Sequence, residues 1–155
     1  MRTLLSAIFA LAVMLPVTAQ AVSTAWDYGT KIGPDGDVWR FACTEGPAGA
    51  HLSITCTGGL IWVIARTHKF DQSSSAWRSV VWQTDRDKVH KAKWIQSGSG
   101  SGAMDAGLGA VQVAKALLRA QSRFWIDTGG NKPTFEFGVR GSTATVGRVL
   151  RDCGY

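Results

Sequence analysis

The chain has 155 residues, 45% of them hydrophobic, with 17 Lys and Arg against 11 Asp and Glu and a net charge of +6. That length suits one ordinary domain with room for a real core, and excludes a multidomain assembly. The positive charge is dispersed rather than gathered into a recognition motif, so nucleic acid is not an expected partner.

Residues 1–21 read as a secretory signal. Arg2 supplies a positive n-region, and "LLSAIFALAVMLPV" is an apolar h-region too short to span a bilayer and interrupted by Pro16. "TAQA" ends it with the small residues Ala19 and Ala21, a cleavage pattern. The expectation is a single β-rich domain over residues 22–155, periplasmic or secreted, with no stable membrane insertion after cleavage. In an oxidising compartment Cys43, Cys56 and Cys153 tend to pair, and an odd count leaves one thiol free or bridging to another chain.

The first mature stretch, "DYGTKIGPDGD", reads as a Gly-, Asp- and Pro-rich lead-in. "VWRFACT" (38–44) alternates as a half-buried strand, with Trp39, Phe41 and Cys43 expected inward. After the turn cluster "EGPAGA", "HLSITCT" (51–57) alternates again, with Leu52, Ile54 and Cys56 inward. A hairpin of the two would bring Cys43 near Leu52 and Trp39 near Cys56, which argues against a Cys43–Cys56 bridge. "LIWVIART" (60–67) is apolar on both faces, as a central strand would be.

"AWRSVVWQTDRDKVHKAKWIQ" predicts a second hairpin around Asp85, Arg86 and Asp87, with Val80, Trp82, Ala92 and Trp94 on one face and Lys91 and Lys93 in solvent. "SGSGSGAMDAG" reads as a loop with no capacity to pack. In "GAVQVAKALLRAQSR" the period becomes helical, through Ala110, Val113, Ala114, Leu117 and Leu118. "FWID", "TGGNKP" and "TFEFGV" predict a third hairpin, with Phe135 and Phe137 on one face. A final helix opens after Gly141 and places Val146, Val149, Leu150 and Cys153 on one stripe. The expected fold is therefore α+β: an antiparallel, sandwich-like sheet with two short helices.

A cysteine on the buried stripe of the last helix faces a sheet that carries Cys56 and Cys43. A Cys56–Cys153 bridge is the favoured pairing, with Cys43–Cys153 as the alternative. Either would pin a terminal helix that otherwise frays.

The order of "LSITCTGGLIWVIA", "VVWQTDRDKVHKAKW", "VQVAKALLRAQSRFWID" and "PTFEFGVRGSTATVGRVLRDCGY" resembles the type VI secretion-associated TagO/VasI group, which ends in a Phe-x-x-x-Gly pattern, a short helix and Cys-Gly-aromatic. Here these would be Phe137, Gly141, Cys153, Gly154 and Tyr155. The same ending is similar to invasion-associated locus B proteins and other small periplasmic β-rich domains. The resemblance implies a fold, a compartment and an envelope role, and transfers no catalytic residues.

Chemistry is sparse. His51, His68 and His90 lack metal-ligand spacing, and no cofactor motif is present. A Cys43–His nucleophile pair is disfavoured because Cys43 alternates with Trp39 and Phe41 and would be an inert buried thiol. Asp85 and Asp87 read as turn formers. Seven tryptophans stand out. Trp39, Trp62, Trp82 and Trp94 fall at inward strand positions, leaving Trp26, Trp77 and Trp125 as candidates for exposure and for stacking on sugars. A binding surface is expected from Arg78, Arg86, Lys88, Lys91 and Lys93 with Trp77 and Trp125, against an envelope protein or a cell-wall polymer. The expected function is non-enzymatic: an exported accessory or binding protein of the cell envelope, with a secretion-system association implied by the resemblance. Inhibition of a cell-wall hydrolase and glycan binding are the other readings.

Overall fold

The computed structural model describes residues 25–66, 76–96, 102–127 and 134–155. The signal reading of residues 1–21, His68 and the turn "TGGNKP" lie outside the described residues. Four strands open the chain: β1 (Asp27–Ile32), β2 (Val38–Glu45), β3 (His51–Thr57) and β4 (Leu60–Arg66), with a 3-10 turn at Pro47–Gly49. Then come β5 (Trp77–Thr84), β6 (His90–Gln96), β7 (Gly102–Ala106), helix α1 (Leu108–Arg119), β8 (Arg123–Asp127), β9 (Phe135–Gly138) and helix α2 (Ser142–Asp152). The nine strands form one antiparallel sheet in the order β1-β2-β3-β4-β7-β6-β5-β8-β9.

Helix α2 packs on β1, β2 and β3, helix α1 on β4 and β7, and the two helices pack on each other. Their stripes agree with the helical periodicity: Ala110, Val113, Ala114 and Leu117 on α1 are buried, as are Val146, Val149 and Leu150 on α2. At the seam, Ser142 Oγ donates to Leu117 O at 3.0 Å and Thr143 Oγ1 donates to Leu118 O at 3.3 Å. The first turn of α2 thus satisfies carbonyls that the end of α1 leaves without helical partners.

The sheet curls until its far edge returns to the N-terminal strands. Trp26 Nε1 donates to Gly138 O at 2.9 Å, and Trp26 N to Arg140 O at 3.1 Å. The Phe137 ring lies so close to Gly46 that a Cβ there would meet Phe137 Cε1 at 2.6 Å. Within the curl sit Trp82, Trp94, Phe124 and Phe137, all at most 2% exposed.

Three expectations change. The first is the face of β2. Ala42 and Thr44 are buried, while Trp39, Phe41 and Cys43 are half-buried on the opposite side. The register explains it: Cys43 pairs with Ser53, Thr44 with Leu52 and Arg40 with Cys56. That is one residue from the expected pairing, and a slip of one turns every side chain to the other face. The second is the glycine-serine stretch, whose part beyond residue 101 is β7, an interior strand between β4 and β6. Small side chains suit it, because α1 crosses directly over β4 and β7. Residues 97–101 lie outside the described residues. The third is the lead-in, which contains edge strand β1. Its Gly29 makes room for the Phe41 ring, since a Cβ would lie 2.5 Å from Phe41 Cζ.

Cys56 and Cys153 form the favoured disulfide, with Cα atoms 5.8 Å apart and a sequence separation of 97. Cys43 is free and faces away from it, which rules out the Cys43–Cys153 alternative here. Replacing Cys153 by Ser is expected to lower stability by about 2–5 kcal/mol. Urea unfolding of the oxidised protein and the variant measures this, and in the wild type reductant should produce the same loss.

Candidate functional site

The side of β1–β4 away from the helices carries a groove built by strand alternation. On β3 the outward residues are His51, Ser53 and Thr55, and the last two are small. Their neighbours across the ladder are larger: Cys43–Ser53–Ile64 form one row, and Phe41–Thr55–Trp62 the next. Small residues between taller ones leave a trench along β3, a cavity of about 200 Å³ that Lys31 and Arg66 border as well. The Lys31 ammonium lies 4.7 Å from the Trp39 ring centroid, a cation–π contact on the groove wall. Trp39 Nε1 and His51 Nδ1 have no hydrogen-bond partner among the described residues.

A second cavity, of about 210 Å³, adjoins the first and shares Cys43 and His51 with it. Asp27 and Glu45 line this one. Burial, and then Arg66, hold the His51 imidazole below its ordinary value of 6.5 despite Glu45. His51 is therefore neutral at pH 7. Burial, then Asp27 and Glu45, push the Cys43 thiol up. It stays protonated at neutral pH, a poor nucleophile. The chemistry available is binding: apolar walls, a hydroxyl-lined floor, and both cations and acids at the rim, Glu45 and Arg66 flanking His51 in one cross-strand row.

Of the surface expected from sequence, Arg86, Lys88, Lys91 and Lys93 are exposed on or near the β5–β6 hairpin, and Trp77 is 56% exposed. Arg78 is a correction: it is 8% exposed on the inner face. It shares parity with Val80 and Trp82 and pairs across with Trp94, so the same alternation that placed those residues inside places Arg78 with them. Trp125 is half-buried and its Nε1 donates to Gln83 Oε1 at 3.0 Å. Trp26 is buried rather than exposed. Trp39 and Trp62, expected in the core, stand half-buried on the groove side, and only Trp82 and Trp94 of that set are in the core. His90 stacks on Trp82 with centroids 4.0 Å apart.

The hairpin tip is structural. Asp85 accepts from Gln121 N, Ser122 N and Ser122 Oγ, each at 3.1 Å. Asp87 pairs with Arg119 at 3.1 Å, and Arg86 Nη2 donates to Gln121 Oε1. The two acids thereby dock the tip on the end of α1 and the turn into β8. The groove went unforeseen because the β2 register was read one residue away. A periodicity cannot tell which face a helix will cover. The signal present was the small pair Ser53 and Thr55 between bulky strands.

Desolvation alone would raise the Asp85 carboxyl, but the hydrogen bonds from residues 121–123 hold it below its ordinary value of 3.8. A depressed carboxyl stabilises the fold above its unfolded pKa, and that contribution fades as pH falls through the lower folded value. Asp85→Asn should therefore be less stable than wild type at pH 7. In a melting series at decreasing pH, the gap should close only below about pH 4.

Among the described residues no helix is long and apolar enough to cross a membrane. Nor do three His, Cys, Asp or Glu side chains gather as a metal site there. No family model matches the chain, and no match was found among curated proteins or solved structures.

Proposed function

We propose that the chain is an exported, non-enzymatic binding protein of the cell envelope, periplasmic in location, that presents the side of its sheet opposite the helices to a partner. The observation that carries this is the Cys56–Cys153 disulfide, which ties a strand to the chain's end. Such bonds persist in oxidising compartments and are kept reduced in the cytosol. The signal pattern of residues 1–21 supports the same compartment. The half-exposed aromatic and apolar side chains of the outer face, with exposed Lys31, Arg66, Lys91 and Lys93 around them, support a binding role. The resemblance to the TagO/VasI group extends this to an accessory of a secretion apparatus. Inhibition of a cell-wall hydrolase is the second reading. It is favoured by the small cavity, which would take one protruding group of a protein partner.

Recovered from an envelope fraction, the protein should begin at Val22 by N-terminal sequencing. Affinity capture there, followed by mass spectrometry, should return an envelope protein or a wall polymer. Recovery of unprocessed protein from the cytoplasm would reject the proposal. Loss of lysozyme activity on adding the pure protein would select the inhibitor reading over the accessory one.

A further inference from the structure

The outward side of the β5–β6 hairpin sets uncompensated cations beside exposed apolar groups. Lys91 and Lys93 project from one face of β6, and Val81 and Ser79 stand opposite them on β5. These four border a cavity of about 340 Å³ with no acid in its lining. Among the described residues neither lysine makes an ion pair. The nearest acid on this face by register is Asp127, which pairs with Val81 and so stands two strands from Lys91, about 10 Å away. At physiological salt a charge at that distance is largely screened. Next to Lys93 runs an apolar row. Trp77 pairs with Ile95, Ile95 with Met104 and Met104 with Ile64, one line of side chains across four strands and about 14 Å. Trp77 is 56% and Ile95 38% exposed, while Met104 and Ile64 are half-buried. Arg66, two residues beyond Ile64, shares its own row with His51 and Glu45 and is not counted among the cations.

We infer that this part of the outer face adsorbs on an anionic phospholipid surface, with Lys91 and Lys93 on headgroup phosphates and the Trp77–Ile95 end of the apolar row in the interface below them. The inference deepens the binding-protein reading, and rests on it, by naming what one end of the outer face meets. The mixture of side chains selects the occupant. A soluble anionic polymer would pair with the lysines and leave Trp77 and Ile95 in water. A purely apolar partner would cover the row and strip water from two cations without pairing them, which is costly. A phospholipid surface offers phosphates and, just beneath, acyl chains. Lysine stems lie along apolar surface while the ammonium stays at the phosphate level. Tryptophan, an apolar ring with one N–H donor, suits the boundary between the two layers. Each lysine near an anionic leaflet adds attraction that salt screens. The contact is a patch of sheet, and nothing crosses the bilayer.

Sedimentation of the oxidised protein with vesicles tests this, using phosphatidylcholine alone and phosphatidylcholine mixed with phosphatidylglycerol. The protein should bind the mixed vesicles and not the neutral ones, and added salt should release it. Lys91→Gln and Lys93→Gln should each weaken binding about fivefold. Lys115→Gln, an equal loss of charge on the exposed side of α1, should leave it within about twofold. All three side chains are exposed, so the variants should fold, and circular dichroism checks that they do. Phospholipid brominated along its acyl chains should quench tryptophan emission, and Trp77→Phe should remove most of that quenching. No binding to the mixed vesicles would overturn the inference, as would equal binding to the neutral ones. Binding without quenching, or an equal loss in Lys115→Gln, would mean that net charge alone attracts the protein, and would overturn it too. Soluble polyphosphate that binds the protein where vesicles do not would assign the lysines to a polymer instead. Envelope capture reads protein and polymer partners anywhere on the molecule, so failure with vesicles leaves the broader proposal standing on its own test.

Discussion

Cys56 points out of β3 toward the last turn of α2, and its bond to Cys153 holds that turn against the sheet with the two Cα atoms 5.8 Å apart. A sheet with helices on one side must have one face chosen for it, and this bond makes the choice. Whatever shares a face with Cys56 is inside: Leu52 and Ile54 on β3, Ala42 and Thr44 on β2. Small residues on β2 let α2 come close. The larger ones, Trp39 and Phe41, are left on the side the helices do not cover. The groove is thus a by-product of the same parity that seats the terminal helix.

The bridge reaches further than one helix. Ser142 and Thr143 at the start of α2 hold the last carbonyls of α1, and the turn after α1 holds Asp85 at the tip of the β5–β6 hairpin. The bond from Ser142, which is fully buried, is worth about 0.5–1.5 kcal/mol. Beside them, Asp152 takes a hydrogen bond from Tyr28 at 2.8 Å and lies near Arg40 and Arg148, at 4.0 and 3.9 Å. Those ion pairs are solvent-exposed, so they orient the end of α2 more than they stabilise it. A covalent tie at Cys153 and a polar tie at Ser142 hold the two ends of the same short helix.

Much of this was legible from residue patterns. The β2–β3–β4 run, the β5–β6 hairpin with Val80, Trp82, Ala92 and Trp94 on one face, both helices, the Phe135/Phe137 face and the favoured disulfide partners all follow from periodicity and turn residues. The failures share a cause. β7 is mostly glycine and alanine and β1 is mostly polar around Gly29, and their strand state comes from what they pack against: the Phe41 ring over Gly29, and α1 over β7. No local propensity encodes that. The β2 face failed for a related reason. Trp39, Phe41 and Cys43 are the more apolar set, and hydrophobicity alone sends them inward. The register with β3 overrides it, because Cys56 has to meet Cys153. Since the groove lies on that misassigned face, it was the least legible part of the molecule.

The position of Cys43 bears on how the right pair of thiols is reached. Cys43 is far nearer to Cys56 in sequence than Cys153 is, so loop closure would favour Cys43–Cys56 in an unfolded chain. Once β2 and β3 pair, Cys43 faces the groove and Cys56 faces α2, and their sulfur atoms lie on opposite sides of the sheet. A disulfide cannot be made through a sheet without moving the backbone. Burial, and then Asp27 and Glu45 beside it, keep the Cys43 thiol protonated, and exchange requires a thiolate. Register and local charge together protect the Cys56–Cys153 bond from the one free thiol among the described residues, and with it the choice of face on which the groove depends.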